Sequence, residues 1–599
     1  MTAEKREADS AAPAHDVATP SKRPRTDSGP APKTTASTLA AAESGAGSGA
    51  ADAPSSPFNP KETDSPSARG QSGKDPKRGG GGGRGKRGGR GGRGGRGGGG
   101  DSRSWGGRNT GKGEANMRQW GKKEGEAEGV AGEGAQPTDE KKDKLPKRKV
   151  AALIGYNGIG YKGSQVNPGQ DTIEGEVFKA LVAAGAISED NSNNHQKVSL
   201  ARAARTDAGV HAALNVLSLK LILQPPKMPA ESTFEDYINS FLPPAIRLWT
   251  TVRVQGAFDP RKLCDQRQYE YTLPTHVFLG PKPSSAMGEW LEKARSAPSA
   301  AEATPAEPAA ATSTPIIDAS KAFWASQPEK SNFVEDVTAK KKWRMPKEVL
   351  EQARAFVKEY EGSHNFYNFT VGKDFRDRSC QRVMRELKIS EPFVVNDTEY
   401  VSVSFLGQSF MLHQIRKMIG LTILAVRSST PASLIPETFG PSRIHIPKAP
   451  GLGLLLLEPQ YIEYNRRVTE ANTKLEDLNK AGRLSDKDLA DQRRDPLDSN
   501  GLGLTERIDA FKQEHVYKRM WEVEESELTF SKWLNYLDVH IGSDFEYLNP
   551  KGVIPVSAVY KKGENPERPR GTAPADAKES EAALPPSDDE GAGAGEDDG

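Results

Sequence analysis

Apolar and polar residues recur with two different periods along the middle of the chain, and each period predicts a different element. The run KVAALIGYNG at 149–158 is apolar and ends in Asn-Gly, as a buried strand does. The run DTIEGEVFKALVAAGAI at 171–187 has the helical period, and Asp171 with Glu174 has the spacing of a capping box at its start. Its predicted buried stripe consists of Ile173, Val177, Leu181 and Ala184.

The same two periods recur through both halves of this region. Further strands are predicted in AALNVLSLKLIL, IRLWTTVRV and RQYEYTLP, and then in RVMRELKIS, EYVSVSFLG and APGLGLLLLEPQ. Further helices are predicted in TFEDYINSFLPP, PKEVLEQARAFVKEYEG and LHQIRKMIGLTILAVRSS. The predicted buried stripe of the last helix consists of Leu412, Ile415, Ile419 and Ile423. Because strands and helices intermix in both halves, the predicted fold class is α+β (mixed α/β), built as two similar halves.

Composition changes this picture at the ends of the chain, where few aliphatic residues occur. Of the 599 residues, 1–146 are mainly Ala, Ser, Pro, Gly, Lys and Arg, and 563–599 are similar but acidic. Such segments cannot bury enough apolar surface to offset chain entropy, so both are predicted to be disordered tails. The predicted domains are a basic tail (1–146), a first half (147–280), a low-complexity insertion (281–340), a second half (341–465), a helical extension (466–562) and an acidic tail (563–599).

Residue usage argues against several classes of protein. Two cysteines cannot form a disulfide framework or a four-cysteine zinc site within one chain, and the nine histidines include no HExxH pair. No apolar run approaches the ~20 residues of a membrane span, and the opening MTAEKREADS is typical of neither a secretory signal nor a transit peptide. The glycines of GYNGIGYKG do not match a nucleotide-binding fingerprint. We therefore expect no metal, no cofactor and no membrane as partner.

Two basic segments of the first tail indicate partners, although the net charge of the whole chain is only +2. SKRPRTD at 21–27 has the composition of a nuclear import signal, with a chance basic patch as the alternative. RGGGGGRGKRGGRGGRGGRGG at 78–98 is an arginine-glycine array, which offers charge, forked donors and stacking planes on a flexible chain. It predicts contact with RNA with little sequence preference, and a simple flexible linker is the alternative.

The stretch RTDAGVHA at 205–212 holds the main candidate for chemistry. Asp207 lies two residues after Arg205 and two residues before Gly209. A carboxylate beside a glycine in a tight turn is usually a solvated turn residue, whereas a carboxylate poised as a nucleophile or base is the rarer alternative. The local sequence alone leaves both interpretations open.

Four blocks in order carry a resemblance to a known family. RTDAGVHA resembles the active-site motif of the TruA family of tRNA pseudouridine synthases. GYNGIGYKGSQVNPGQDTIEGEVFKAL, FDPRKLCDQRQYEYTLP and GQSFMLHQIRKMIG are similar to that family's opening strand and helix, its arginine-tyrosine strand and its late arginine helix. SHNFYNFT at 363–370 is similar to the eukaryotic branch named tRNA pseudouridine synthase 1. The resemblance covers about 147–465 apart from the insertion.

The resemblance implies roles for five residues. Asp207 is implied to be the catalytic aspartate, paired with Arg416 from the late arginine helix. Tyr269 is implied to stack on the target uracil near its carbon 5, and Arg205 to enter the space left by the flipped nucleotide. Leu454 is implied to be an apolar wall of the active site, and the leucine run GLGLLLL permits neighbouring alignments.

The resemblance also implies the pseudouridine synthase fold, a mixed β-sheet flanked by helices around a basic cleft. The implied function is a tRNA pseudouridine synthase that isomerises specific uridines without a cofactor. Its partner is tRNA, with snRNA or mRNA as further candidate substrates. We expect a nuclear monomer, with a mitochondrial pool as an addition that an alternative start site would allow.

Two rival functions stay open at this point. One is a non-catalytic RNA-binding or RNA-folding protein that keeps the cleft. The other is an enzyme that only hydrolyses the glycosidic bond, for which a second carboxylate would be expected to activate water. His211 and His413 are interpreted as structural histidines that form hydrogen bonds rather than as general bases.

Overall fold

The computed structural model of the protein describes residues 145–296, 314–567 and 570. The basic tail with its import-like segment and its arginine-glycine array, the stretch 297–313 and most of the acidic tail lie outside the described residues. Within the described ranges, no helix combines the length and the apolar character that crossing a bilayer would require.

One sheet organises the described chain. Its strands are Arg148–Tyr156 (β1), Ala201–Arg202 (β2), His211–Leu221 (β3), Ile246–Arg253 (β4), Gln266–Pro274 (β5), Gly362–Asn365 (β6), Gln381–Ile389 (β7), Phe393–Val395 (β8), Thr398–Gly407 (β9) and Leu454–Gln460 (β10). The strand order is β4-β1-β3-β10-β5-β9-β7-β6, with β2 on β3 and β8 on β9. The pair of β10 and β3 is parallel, while β10 and β5 are antiparallel. The sheet is therefore mixed, and the predicted α+β class is confirmed.

Helices cover this sheet. They are Ile173–Ala183 (α1), Phe234–Asn239 (α2), Ala286–Ser296 (α3), Pro315–Ala325 (α4), Phe333–Lys341 (α5), Lys347–Lys358 (α6), Gln414–Ser428 (α7), Leu434–Thr438 (α8), Ile462–Lys480 (α9), Asp486–Gln492 (α10), Thr505–Phe511 (α11), Lys518–Glu527 (α12) and Thr529–Val539 (α13). A π-helical turn, Lys512–Tyr517, joins α11 to α12.

Strand β10 links the two halves. It belongs to the second half in sequence, yet it lies between β3 and β5 of the first half. Leu455 pairs with His211 on β3, and Leu456 pairs with Tyr269 on β5. The centre of the sheet is thus built from both halves, and the loops that precede β3 and β10 meet there.

The start of α1 differs from the prediction. The N-cap is Thr172, whose hydroxyl accepts a hydrogen bond from the Gly175 amide at 3.3 Å. Glu174 is buried, where it pairs with Arg202 and accepts a hydrogen bond from the Val166 amide at 3.1 Å. The predicted capping box of Asp171 and Glu174 is wrong, because the Glu174 carboxylate is used in these more distant contacts. The predicted buried stripe of α1 is confirmed.

Helix α7 is more central than its predicted amphipathic stripe indicated. Every residue from Gln414 to Ser428 is buried, whereas Leu412 precedes the helix and is exposed. At Gly420 an added Cβ would lie 2.1 Å from the Pro447 carbonyl oxygen, so the chain after α8 runs directly against the helix. The helix is covered on all sides. Its polar residues predicted an exposed face in the sequence, but they are buried as well.

The described parts of the predicted insertion 281–340 are largely helical and pack on the core. They contain α3, α4 and nearly all of α5, and the stretch of lowest complexity, between α3 and α4, lies almost entirely outside the described residues. The indole of Trp324 donates a hydrogen bond to the Gly280 carbonyl at 3.0 Å, and Lys282 pairs with Asp336 at 3.0 Å. Low complexity therefore describes only the middle of this segment, because its flanks carry apolar residues that the core buries.

The predicted start of the acidic tail at residue 563 is too early. Glu567 pairs with the buried Lys417 of α7 at 2.6 Å, and the Pro566 carbonyl contacts the His445 ring at 2.6 Å. Arg570 contacts Asp544. These contacts hold the first residues of the predicted tail against the folded part of the chain.

Candidate active site

The candidate aspartate lies in a tight turn that leads into β3. The Val210 amide donates a hydrogen bond to the Asp207 carbonyl at 3.2 Å, and Gly209 has a positive φ of 74°. A positive φ at the third position is typical of a type II turn, for which glycine is the favoured residue. The glycine of RTDAGVHA thus closes the turn that presents Asp207 at the start of the strand.

Polar contacts from β1, β3 and the loop after β1 fix this turn. The Thr206 amide donates to the Ser164 hydroxyl at 2.9 Å, and the Thr206 hydroxyl lies 2.9 Å from that of Tyr156. The Asn215 amide donates to the Ala204 carbonyl at 2.9 Å. These partners are buried, so the backbone on the amino-terminal side of Asp207 has little freedom.

Two basic residues at the start of α7 reach the carboxylate. Nδ1 of His413 lies 2.9 Å from Oδ2 of Asp207, and Nη1 of Arg416 lies 3.5 Å from the same oxygen. The Arg416 Nε donates to the Ala449 carbonyl at 2.8 Å, which fixes the guanidinium plane. The Asp207 side chain keeps 15% of its surface exposed, so the carboxylate is held but remains open on one side.

Electrostatics keep Asp207 ionised. Burial by itself would raise the pKa of this carboxyl, but the hydrogen bond from His413 and the charges of His413, Arg416 and Lys448 outweigh burial and lower its pKa. Because an ionised carboxylate only accepts hydrogen bonds, Nδ1 of His413 must carry the proton that it donates. The site therefore presents a charged carboxylate of fixed direction.

Tyr269 on β5 supplies an aromatic surface near this carboxylate. Its ring is buried and packs edge-to-face on Phe410, with ring centroids 5.0 Å apart. Burial raises its pKa far above the usual value, and the nearby Asp207 charge adds to that effect, so the phenol stays neutral. Among the described residues, none forms a hydrogen bond with its hydroxyl.

The other two predicted site residues lie on the same elements. Leu454 is buried at the first position of β10 and pairs with Tyr271, whereas Leu456 is the residue opposite Tyr269. Both leucines face the same side of the sheet as the tyrosines. Arg205 lies two residues before Asp207 on the same loop, and its side chain is exposed. The structure thus brings Asp207, Arg416 and Tyr269 together, whereas Leu454 lies opposite Tyr271 and Arg205 lies at the surface.

The two histidines have different positions. His211 accepts a hydrogen bond from the Gly158 amide at Nδ1 (3.2 Å), and its Nε2 lies 3.2 Å from the Leu452 carbonyl oxygen. Burial lowers the pKa of His211 to about 4, so it is a neutral structural residue, as predicted. His413 also forms a hydrogen bond, but to the catalytic candidate itself, and its φ of 61° is rare for a residue other than glycine. Its place three residues before Arg416, on one side of a helix start, was the signal in the sequence.

No group of three or more histidine, cysteine, aspartate or glutamate side chains in the described part of the chain could hold a metal ion.

Comparison with known proteins agrees with this arrangement. A family model described as tRNA pseudouridine synthase matches residues 356–462, which include α7 and β10. The chain is 40% identical to tRNA pseudouridine synthase 1 of Candida glabrata, over 66% of this chain and 71% of that protein. It is 39% identical to tRNA pseudouridine synthase 1 of Eremothecium gossypii, over 67% and 76%. It is 33% identical to the pseudouridylate synthase 1 homolog of Mus musculus, over 66% and 75%.

The chain therefore belongs to the tRNA pseudouridine synthase family, whose members are isomerases. Within that family it is similar to the eukaryotic proteins named tRNA pseudouridine synthase 1.

Proposed function

We propose that the protein isomerises specific uridines of tRNA to pseudouridine, with Asp207 as the catalytic carboxylate and without a cofactor. The observation that carries this proposal is the ionised Asp207 between His413 and Arg416, beside the ring of Tyr269. The named function of the relatives supports the same reaction.

The reaction makes demands that these residue types meet. The bond from ribose to the uracil nitrogen breaks, the base turns, and a new bond forms to carbon 5, which loses its proton. Atoms and electrons are conserved, so the reaction requires no oxidant and no nucleotide triphosphate. A carboxylate of lowered pKa is ionised at neutral pH and can act as the nucleophile or base.

The substrate must also be brought into the site. A base inside folded RNA has to be extruded at a cost of a few kcal/mol, and stacking on an aromatic side chain returns about 1–3 kcal/mol. Tyr269 supplies that surface next to the carboxylate. The exposed Arg205 is on the same loop, where a cation can occupy the space that the extruded nucleotide leaves.

The test is release of tritium from tRNA labelled at carbon 5 of uracil, combined with nucleoside analysis of the product. We expect the wild type to release tritium and form pseudouridine, and Asp207→Asn and Asp207→Ala to do neither. Asp207→Asn isolates the charge, because the amide keeps the size of the side chain. Both variants should bind tRNA within about twofold of the wild type, because contacts of basic residues with many phosphates supply most of the affinity for a large RNA.

The products separate this proposal from its rivals. Unchanged uridine together with tight tRNA binding would identify a non-catalytic RNA-binding protein. Free uracil would identify a hydrolase. Full activity of Asp207→Ala would refute the role of the aspartate even if pseudouridine is formed.

The proposal extends to substrates and location. We propose that snRNA and mRNA are secondary substrates that are modified at the same site. We also propose that the arginine-glycine array increases the affinity for RNA. We propose a nuclear location, which the import-like segment SKRPRTD at 21–27 supports. Alanine at Lys22, Arg23 and Arg25 should then move a fluorescent fusion to the cytoplasm, and an unchanged nuclear signal would contradict that assignment.

A further inference from the structure

The helical extension reaches the candidate active site through its π-helical turn. The Asn157 side-chain amide, in the loop after β1, donates a hydrogen bond to the carbonyl of His515 within that turn. The Tyr517 hydroxyl, at the end of the turn, donates to Oε1 of Glu270 on β5 at 2.8 Å. Two side-chain links thus join six residues of the extension to two elements of the catalytic half.

The loop that carries Asn157 lies directly against the aspartate turn. At Gly158 an added Cβ would lie 2.1 Å from the Val210 carbonyl oxygen. The Gly158 amide also donates to His211, the first residue of β3. A displacement of this loop would therefore be transmitted to the turn that holds Asp207.

A third link is apolar and reaches the segment before β10. Leu452 packs in a small buried cluster with Met520 and Val523 of α12. The neighbouring Gly451 lies close to the catalytic groups, since an added Cβ would be 3.3 Å from the Ala208 carbonyl oxygen and 3.7 Å from the Arg416 guanidinium carbon. The extension thus packs on the segment that separates Asp207 and Arg416 from β10.

The π-helical geometry explains why His515 can take part. A π turn lengthens the backbone hydrogen-bond spacing, so carbonyl groups there are less tightly bound within the helix and are open to outside donors. At Tyr517, burial and the Glu270 charge raise the pKa of the phenol, which therefore remains a hydrogen-bond donor. Glu270 lies between Tyr269 and Tyr271 on β5, so the hydrogen bond from Tyr517 attaches the extension to the strand beside the Tyr269 ring.

We propose that the π-helical turn positions the active site, with Tyr517 and Asn157 as positioning residues that hold the aspartate turn, β5 and the segment before β10 in register. This inference rests on the proposed isomerase function. Catalysis is sensitive to small displacements of reacting groups, whereas the binding of a large RNA is spread over many contacts. Loss of the turn's contacts should therefore lower kcat and leave KM almost unchanged.

The main test compares Tyr517→Phe with the matched control Tyr464→Phe. Both changes remove one phenolic hydroxyl from the helices that follow β10, but the Tyr464 hydroxyl is buried without a hydrogen-bond partner in the described part of the chain. We expect Tyr517→Phe to lower kcat by about 5- to 30-fold, less than the ~100-fold that a misplacement of about 1 Å can cost, with KM within twofold. The control should match the wild type in both constants, and both variants should melt within about 2 °C of it.

A second variant separates the other link. The Asn157 side-chain oxygen accepts a hydrogen bond from the Ile159 amide at 2.9 Å, and its side-chain NH2 donates to the His515 carbonyl. Asn157→Asp keeps the oxygen but replaces the NH2 donor with a second oxygen. It should lower kcat at least as much as Tyr517→Phe. Normal kcat in both variants would overturn the inference, and so would a parallel fall of kcat and melting temperature, which would indicate a purely structural role.

Amide hydrogen exchange gives a readout that does not depend on turnover. The amides of residues 206–210 and 451–454 should exchange faster in Tyr517→Phe than in Tyr464→Phe, because those segments lose their support. If the wild type forms no pseudouridine, the proposed function fails, and exchange still decides whether the turn holds the site. Identical exchange in the two variants would overturn the inference even in an active enzyme.

Discussion

The charge state of Asp207 is set by residues distant in sequence rather than by its neighbours along the chain. An aspartate before glycine is common at protein surfaces, where water solvates it. Here most of the side chain is covered, and His413 and Arg416 replace the lost water with one hydrogen bond and one charge. Since burial and these partners act in opposite directions on the pKa, the charge state of Asp207 depends on both of them staying in place.

His413 is the residue on which we expect pH dependence to turn. Asparagine tolerates the positive φ at this position but lacks the ring that donates to Asp207. Because that hydrogen bond lowers the pKa of Asp207, His413→Asn should raise the pKa. As the solution is acidified, the carboxylate would then be protonated at a higher pH, so the acid limb of the kcat/KM profile should shift to higher pH. Near pH 7, kcat/KM should fall about tenfold. Profiles of kcat/KM against pH check this.

The control for this variant is His540→Asn, at an exposed position beyond α13. It should leave the profile unchanged. An acid limb that stays in place in His413→Asn would mean that His413 does not set the charge of Asp207.

At this scale the sequence predicted part of the site. Asp207, Tyr269 and Arg416 could be predicted as candidates because they lie in recognisable blocks. The contact of His413 with Asp207 could not be predicted, because it spans 206 residues and the backbone conformation of His413 is unusual for histidine. The spacing of three residues between His413 and Arg416 is the signal in the sequence, but spacing alone does not identify the carboxylate that the histidine contacts.

Helix α7 is the element that ties the molecule together. Three of its cations are buried, and each is paired with an acid from a different segment: Arg416 with Asp207, Lys417 with Glu567, and Arg427 with Asp538. A buried cation is costly unless it is paired, so each distant acid makes the fully buried helix tolerable. The helix thus acts as a common anchor for the aspartate turn, the residues before the acidic tail, and α13.

The pair of Arg427 and Asp538 gives a stability prediction for this element. Both oxygens of Asp538 bind the guanidinium, at 2.5 and 2.9 Å, and neither side chain is more than 10% exposed. Asp538→Asn would leave a buried charge without compensation, and we expect it to lower the free energy of unfolding by about 3 kcal/mol. Urea unfolding measures this change. Asp491→Asn, at an exposed ion pair with Arg253, is the control and should have no measurable effect, and equal stabilities of the two variants would contradict the prediction.

Glu524 of α12 gives a pH prediction for stability. Burial raises its pKa to about 8, and the carboxyl accepts a hydrogen bond from the Phe530 amide at 3.2 Å. In the unfolded chain the same group would ionise near 4.5. The folded state therefore keeps a proton that the unfolded state loses, so stability from this group is present below 4.5 and is lost as the pH rises towards 8.

Glutamine at position 524 does not titrate and should remove this trend. The stability of the wild type relative to Glu524→Gln should fall between pH 5 and pH 8, and urea unfolding at pH 5, 6.5 and 8 measures it. A constant difference across that range would show that Glu524 is ionised in the folded protein.

The elements themselves were predicted better than their packing. The strands in KVAALIGYNG, RQYEYTLP and EYVSVSFLG and the helix at 346–362 are where the periods place them. Glu174 was misassigned as a cap because a long-range partner, Arg202, claims its carboxylate. The exposure of Leu412 was missed because a helix stripe was extended through residues that lie before the helix. Local patterns define the element, whereas tertiary partners decide its ends.

At the scale of the whole molecule, the described chain starts at residue 145, directly before β1. Removing residues 1–140 leaves every described element intact but removes the arginine-glycine array. We expect this deletion to weaken tRNA binding most at low salt and to flatten the dependence of affinity on salt. Turnover at low salt and saturating tRNA should stay within about threefold, since the cations of the array contribute charge rather than catalytic geometry. Filter binding and tritium release at several salt concentrations check this.

A variant that replaces the arginines of the array with lysines keeps the charge and should resemble the wild type in its salt dependence. Complete loss of low-salt activity in the deletion would mean that the tail takes part in the chemistry. Equal binding at all salt concentrations would remove its role in affinity.

The arrangement of the sheet was beyond sequence reasoning. The two halves and the mixed sheet were predicted, but the exchange that places β10 between β3 and β5 was not. Nothing in GLGLLLLEP distinguishes a strand that pairs within its own half from one that crosses to the other. Which strands β10 pairs with depends on which strand edges are unpaired when the rest of the sheet has assembled.

The position of β10 has a consequence for how the enzyme is made. When the first half leaves the ribosome, β3 and β5 have no strand between them, and the contact of His211 with Leu452 must await a segment 241 residues further on. Closing so long a loop is slow, and the open edges are exposed to other chains in the meantime. The nascent protein should therefore depend on chaperones until residue 460 has been synthesised. Because β10 lies between the strand that follows Asp207 and the strand that carries Tyr269, we expect a chain that ends before β10 to be inactive.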